Sequence, residues 1–284
     1  MKIVTWNTQW FKGLDEVVSV ERVLRVAREL ADYDVICMQE VAVNYPALSG
    51  LTDMDQPAKV QQLLPGFQVY FSAAIDELSP CGSYRQKFGN LIATRLAVKS
   101  IEHVPLPYPN PVISDPTPSM QRICQVMTVQ APWGPVRIMT THLEYYSQVM
   151  RHAQAVACRD LHLQGCALAD FPSVTEEGTP YQPKPLTTDT VLCGDFNFEQ
   201  GSVEHADMIR PHPVHSLHNA WNVLNAGAPH PATFRIYDRK YGPEPVGCDF
   251  FFVSESLKHR VKRFAVDQGT KVSDHQPVML ELGE

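Results

Sequence analysis

Short apolar runs that each break off at a carboxylate, an amide or an imidazole recur from one end of this chain to the other. Ile3-Val4-Thr5-Trp6 runs into Asn7, Val35-Ile36-Cys37-Met38 into Gln39-Glu40, and Val136 to Thr141 into His142-Leu143-Glu144. Val191-Leu192-Cys193-Gly194 is followed by Asp195-Phe196-Asn197. Cys248-Asp249 opens the run Phe250 to Val253, and Ser273-Asp274-His275 stands just ahead of Pro277 to Leu280. Runs this short and continuous read as strands covered on both faces. One such ending is explained by a turn, because Asp and Asn bond locally to backbone. Six of them, in order along the chain, constrain the fold more tightly. In open α/β sheets the strand edges are where ligands bind, so a rim shared by these ends would be a binding site.

Helical periodicity lies between the runs. Val20, Val23, Leu24, Ala27 and Leu30 recur at three and four and predict a helix over 15–30. Residues 58–64 read as a short helix closed by Pro65-Gly66, and 147–169 as the longest helix. Strands are expected at 2–5, 35–38, 67–73, 90–94, 190–193, 249–253 and 278–282. Residues 125–130 and 136–141 alternate around Ala131-Pro132-Trp133-Gly134 as a hairpin would. Two proline-rich stretches, 105–118 and 171–185, are expected outside the sheets because Pro lacks the N–H a ladder needs. Loops of this length are binding loops or surface spacers. No repeat or linker divides the 284 residues, so the expectation is one domain, 1–284, of the α/β class with two sheets.

Charge narrows the chemistry. The chain carries 24 basic and 31 acidic residues, a net charge of −7, and so lacks the basic footprint of a non-specific DNA binder. An acidic protein that binds phosphate can recruit a divalent cation instead. The rim would gather Glu40, Asp195, Asp249, Asp274, two histidines and two amides. Such a cluster repels itself without a cation, and oxygen donors without clustered Cys and His point to Mg²⁺ or Mn²⁺. Imidazoles that exchange protons near neutral pH complete what phosphate-ester hydrolysis requires. The seven cysteines include no CxxC pair and read as reduced thiols, with Cys37, Cys193 and Cys248 in or beside apolar runs. No apolar run reaches the roughly 18 residues of a membrane span. Met1-Lys2-Ile3-Val4 enters a strand with no leader, so the cytoplasm is the expected location.

Asn7, Gln39-Glu40, Thr141-His142-Leu143, Gly194-Asp195-Phe196-Asn197, Asp249 and Ser273-Asp274-His275 occur in the order found in the endonuclease/exonuclease/phosphatase superfamily. Over residues 3–282 the chain resembles the deoxyribonuclease I-like fold. The resemblance implies a four-layer α/β sandwich, two mixed β-sheets face to face with helices on the outer faces. It implies Glu40 as the main metal ligand, with Asn7 and Asp274 near the ion or its waters. Asp195 and Asn197 would orient the attacking water and the phosphate. His275 would contact the phosphate or act as base, held by Asp249, and His142 would be a second phosphate-facing imidazole, as in the deoxyribonuclease and sphingomyelinase branches. Two departures stand out: Gly247-Cys248-Asp249 lacks the basic residue often found there, and Asn219 replaces an acid before Ala220-Trp221. The expected activity is Mg²⁺- or Mn²⁺-dependent hydrolysis of phosphodiesters, with a nuclease first and nucleic acid among the substrates. The alternatives are a lipid-headgroup or small-molecule phosphodiesterase or phosphatase, and a binding module that kept the fold without the chemistry.

Several residues divide between function and structure. Arg122 could reach a phosphate or sit on the surface, and Asn90 resembles a position near the family's site. Glu144 is expected to favour the start of the following helix. His205, His212, His215, His218 and His230 match no zinc spacing and are expected in solvated loop. The basic run Lys258 to Arg263 reads as a solvated face that could also touch a polyanion.

Overall fold

Alternation along the strands sends side chains into different cores. In β1 (Lys2–Asn7) Ile3 faces one way and Val4 and Trp6 the other; in β10 (Asp249–Ser254) Phe251 and Val253 oppose Phe250 and Phe252. A strand apolar on both faces must be covered on both, and the tertiary structure supplies the covers. The computed structural model describes residues 1–50, 54–108 and 117–283.

Two six-stranded sheets result. The first holds β1, β2 (Val35–Val43), β3 (Gln68–Leu78), β4 (Arg85–Thr94), β11 (Val261–Val266) and β12 (Val278–Leu282), in the order β11-β12-β1-β2-β4-β3. The second holds β5 (Val98–Pro105), β6 (Ile123–Ala131), β7 (Gly134–His142), β8 (Thr190–Asp195), β9 (Leu217–Asn219) and β10, in the order β5-β6-β7-β8-β10-β9. Both are mixed: β1 runs parallel to β2 and β7 parallel to β8, and the other pairs are antiparallel.

The sheets pack face to face through Ile3, Val35 and Ile92 on one side and Ile138, Val191 and Phe251 on the other. Helix α1 (Val20–Leu30) lays Val23, Leu24 and Ala27 on the outer face of the first sheet. Short α2 (Pro46–Ser49) follows β2, and α3 (Gln56–Leu63) adds Val60 to the same outer core. Helix α4 (Gln148–Asp170) covers the outer face of the second sheet with Ala155 and Cys158 against Met139, Leu192 and Phe252. Short α5 (Val203–Met208) adds Met208 to that outer core, and α6 (Ala220–Leu224) closes the edge of the sandwich, with Ala220 in the core between the sheets. This is the expected four-layer sandwich. Gly165 of α4 has a packing reason: a Cβ there would meet the Arg137 guanidinium at 1.6 Å.

The structure corrects several expectations. The helix expected from residue 15 begins at Val20, because Ser19 caps it by accepting from Arg22 N at 3.2 Å, while Asp15 turns to pair with the Arg22 guanidinium at 2.6 Å. β2 does not stop at Met38. It runs to Val43 through a bulge in which Gln39 and Glu40 together oppose the single residue Asn90. β5 escaped the periodicity because Lys99, Glu102 and His103 interrupt it; it is an edge strand, where apolar continuity is not needed. Two more edge strands were missed: β11, in which the basic run ends and whose exposed Lys262 and Arg263 suit an open edge, and short β9, which holds His218 in a strand and not in solvated loop. His205 lies on α5 and is buried against Phe198, Phe250 and Phe252, and His230 packs on Phe250 with ring centroids 4.4 Å apart, so neither is in solvated loop. Of the two proline-rich stretches, 171–185 is irregular and largely exposed, outside the sheets as expected. Pro105 of the other closes β5, and its residues 109–116 lie outside those described.

Candidate active site

The two parallel pairs aim the same ends of both sheets at one rim. Asn7 is in register with Gln39, His142 with Asp195, and Asp195 with Asp249 across the antiparallel β8–β10 pair. Gly194 lets β7 and β8 approach there: its φ is +139°, and a Cβ would lie 2.0 Å from the Thr141 carbonyl oxygen. Glu40 reaches the rim from inside a strand because the bulge gives it φ +59° and redirects its side chain. Asn197, at φ +53°, turns back after β8, and its Nδ2 donates to the Leu143 carbonyl at 3.0 Å.

The eight expected site residues come together. Glu40, His142, Asp195, Asn197, Asp274 and His275 line one cleft of about 170 Å³, with Asn7 and Asp249 directly behind it. Asn7 Nδ2 donates to Glu40 Oε1 at 3.2 Å and to Asp195 Oδ2 at 3.0 Å, tying the two acids together. Asp195 Oδ2 sits 3.5 Å from His142 Nε2 and 3.6 Å from His275 Nε2. His275 Nδ1 bonds Asp249 Oδ2 at 2.9 Å. Ser273 Oγ donates to the Asn7 carbonyl at 2.7 Å and accepts from His275 N at 3.2 Å, fixing the loop ahead of β12 to the tip of β1.

These groups are largely shielded from solvent, and burial competes with neighbouring charges over their protonation. Burial and the neighbouring Asp274 charge push Glu40 up to about 7, against the Asn7 hydrogen bond. Asp274 is raised too, again mainly by burial. Asp195 is equally buried, yet the His275 and His142 charges and the Asn7 and Asn197 hydrogen bonds hold it below the usual range. The imidazoles diverge. Burial and the Arg122 charge push His142 down to about 3, whereas the carboxylates of Asp249 and Asp195 outweigh burial and raise His275 well above its ordinary value. His142 is therefore the neutral imidazole of the pair at pH 7, and His275 is the one that holds its proton to higher pH.

The donor set fits a hard divalent cation. Glu40 and Asp274 cannot both ionise cheaply side by side, and a cation between carboxylate oxygens removes that cost. Asp195, Cys248 and His275 also have potential ligand atoms within 4.8 Å of one another. They do not make a soft-metal site, since burial pushes the Cys248 thiol far up and His275 Nδ1 already faces Asp249.

Other residues of the site carry weak sequence signals or none. Thr233 Oγ1 donates to Asp249 Oδ2 at 2.6 Å, and Phe234 stacks on the His275 ring at 4.2 Å between centroids. Tyr145, Tyr146 and Tyr241 line the same cleft, with Tyr145 Oη donating to the Tyr241 carbonyl at 3.2 Å. Arg122 is not on the surface: it is buried and lines the cleft, 3.8 Å from Glu144. Glu144 does not start α4, which Ser147 caps; it is wholly buried, accepting from Tyr146 N at 2.9 Å and from Ser119 Oγ at 3.1 Å. Asn90 Nδ2 donates to the Ile123 carbonyl at 3.0 Å and so holds the chain next to Arg122. Asn219 caps α6 and bonds His205, away from the cleft.

The sequence matches the Endonuclease/Exonuclease/phosphatase family over residues 4–275. The chain belongs to this family. Members hydrolyse phosphoester bonds and are generally divalent-metal dependent. A search of curated proteins returned no match. Among solved structures, an endonuclease/exonuclease/phosphatase from Beutenbergia cavernae is 23% identical with a TM-score of 0.66, covering 100% of this chain and 72% of its own. A mannosyl-6-phosphatase from Bacteroides thetaiotaomicron is 16% identical with a TM-score of 0.65, covering 100% of both chains. Truncated TDP2 from Caenorhabditis elegans is 17% identical with a TM-score of 0.65, covering 100% of this chain and 97% of its own. Identities this low establish the shared fold. Among the described residues no helix is long and apolar enough to cross a membrane.

Proposed function

We propose that residues 1–284 act as one catalytic domain that hydrolyses phosphodiesters with Mg²⁺ or Mn²⁺. The observation that carries this reading is the meeting of Glu40, His142, Asp195, Asn197, Asp274 and His275 in one cleft. Glu40 and Asp274 would hold the cation, with Asn7 orienting Glu40 through its hydrogen bond. A cation there would stabilise charge on the phosphoryl and leaving oxygens. Asp195 and Asn197 orient the attacking water and the phosphate. Neutral His142 donates to a non-bridging oxygen through one ring nitrogen. His275, held by Asp249, places its Nε2–H where negative charge grows during the reaction.

Nuclease action is the finer reading that the order of the motifs favours. The cleft places Arg122 among Glu40, Asp195 and Asp274, and the chain's net charge is −7. A nuclease built this way would grip one scissile phosphate and would not track a duplex backbone, which needs several cations. The test is hydrolysis of bis(p-nitrophenyl) phosphate with Mg²⁺, with Mn²⁺ and with EDTA. Turnover is expected with either metal and lost in EDTA, and Asp195→Asn or His275→Ala should lower it by on the order of a hundredfold or more. Near wild-type turnover in both variants would overturn the assignment.

A further inference from the structure

Beside the cleft lies a second depression of about 550 Å³ that shares Trp10, Glu40, Arg122 and His142 with it. Its remaining wall is largely apolar or aromatic: Tyr45, Leu48, Ile75, Phe88, Tyr108 and Met120. Tyr45 and Phe88 meet edge to face, with ring centroids 6.4 Å apart at 89°. Among the described residues the groove's carboxylates are Glu40 and Glu77, and its cation is Arg122.

Trp10, the wall between the two hollows, is held in an unusual way. Gln9, Trp10 and Phe11 have φ values of +48°, +46° and +62°, a left-handed turn made without glycine. Such a conformation is strained for residues with a Cβ, and strain of this kind gathers at ligand clamps. Gln56 pins it: its Nε2 donates to the Trp10 carbonyl at 2.8 Å while its Oε1 accepts from Ala42 N at 2.7 Å. Trp10 Nε1 is nonetheless buried without a hydrogen-bond partner among the described residues.

Arg122 has the same deficit. Its side chain is 8% exposed and its Nε stands 3.8 Å from the buried Glu144 carboxylate, yet neither Nε nor Nη1 has a hydrogen-bond partner among the described residues. A buried guanidinium in that state is poised for an anionic oxygen. Arg122 and Trp10 both stand where the two hollows join.

We propose that this groove receives a flat, apolar group carried by the phosphoester, so that the enzyme selects aryl-type esters with a single phosphate at the junction. The proposal rests on the phosphoesterase reading and names its substrate class. Arg122 faces the phosphate at the junction, Trp10 forms the wall beside it, and the organic group lies along the apolar wall. A second phosphate in this groove would face Glu77, so the groove takes the organic group, and a nucleic-acid chain would leave the cleft by another side. Hydrolysis of such an ester puts hydroxide on phosphorus, breaks the P–O bond to the organic group, and leaves the remaining proton of water on the released oxygen.

The experiment compares 1-naphthylphosphonate with methylphosphonate, neither of which has a leaving group, by calorimetry with Mg²⁺ present. Naphthylphosphonate is expected to bind about tenfold or more tightly, the effect of burying one ring system. In Trp10→Ala and in Ile75→Gln that ratio should fall to about one. Equal affinities in the wild-type protein overturn the proposal. An unchanged ratio in either variant also overturns it, provided melting temperature shows the variant folded. Hydrolysis of bis(p-nitrophenyl) phosphate by the same preparation separates the two readings. Turnover without an aryl preference sinks the groove alone, and absence of both turnover and phosphonate binding sinks both.

Discussion

Thr233 bears no charge and touches no part of the cleft, yet it decides where His275 can point. Its hydroxyl donates to Asp249 Oδ2 and accepts from the backbone N–H groups of Cys248 and Asp249 at 3.1 and 3.2 Å. The carboxylate so fixed holds His275 Nδ1. Replacing Thr233 with Val keeps the shape and removes the hydroxyl. Loss of such an outer hydrogen bond costs roughly 10–100-fold in activity. Thr233→Val should therefore lower kcat by about that factor, and steady-state kinetics beside a melting curve would check it. Nothing in the sequence singled out Thr233, because Ala232-Thr233-Phe234 matches none of the strand-end motifs. Arg122 and Glu144 were visible, but their burial was not. Whether a charged side chain faces water or a neighbouring carboxylate depends on chain that is remote in sequence.

At the scale of elements, the site is made by how strands end and how closely they run. β7 and β8 bring His142 and Asp195 into register only because Gly194 accepts φ +139° beneath the Thr141 carbonyl. Gly194→Ala must push the strands apart one residue before both catalytic candidates. A displacement near 1 Å costs on the order of a hundredfold in rate. The variant should lose activity by that order and melt several degrees lower, which kcat and a thermal scan would reveal together. The periodic segments were legible as strands and helices, since each is dominated by its own burial pattern. The bulge at Gln39-Glu40 and the edge strands β5 and β11 were not, because a bulge is a relation between two strands and an edge needs no continuous apolar face.

For the molecule as a whole, buried titratable groups give stability a dome-shaped pH profile. Burial holds His162 and His230 down to about 4, against 6.5 for the free side chain. Between those values the unfolded chain binds more protons than the folded one, so stability is full above 6.5 and falls as pH drops toward 4. Glu40 works in the opposite direction. Its folded value is raised from 4.5 to about 7, so its contribution is full below 4.5 and is lost as pH rises through 7. His275, raised well above 6.5 by Asp249 and Asp195, also loses its contribution as pH rises beyond 6.5, so the metal-free protein should melt at a higher temperature near pH 6 than at pH 4.5 or pH 8. At pH 8, Mg²⁺ should raise the melting temperature, and Glu40→Gln should raise it without metal while blunting the Mg²⁺ effect. Differential scanning calorimetry at the three pH values checks each part. A wild-type melting temperature at pH 8 indifferent to Mg²⁺ up to millimolar levels contradicts it.

The amino-acid sequence by itself determined the α/β class, the order of the main strands and helices, and the polar residues that close the strands. These are set by local periodicity and by side chains that cannot be buried alone. Only the tertiary structure decided that the strand ends of two sheets share one rim, that Arg122 is buried beside it, and that Trp10 is held between two hollows. Each of those facts joins residues tens to hundreds of positions apart, and contact across such distances arises from packing, which no short window of sequence contains.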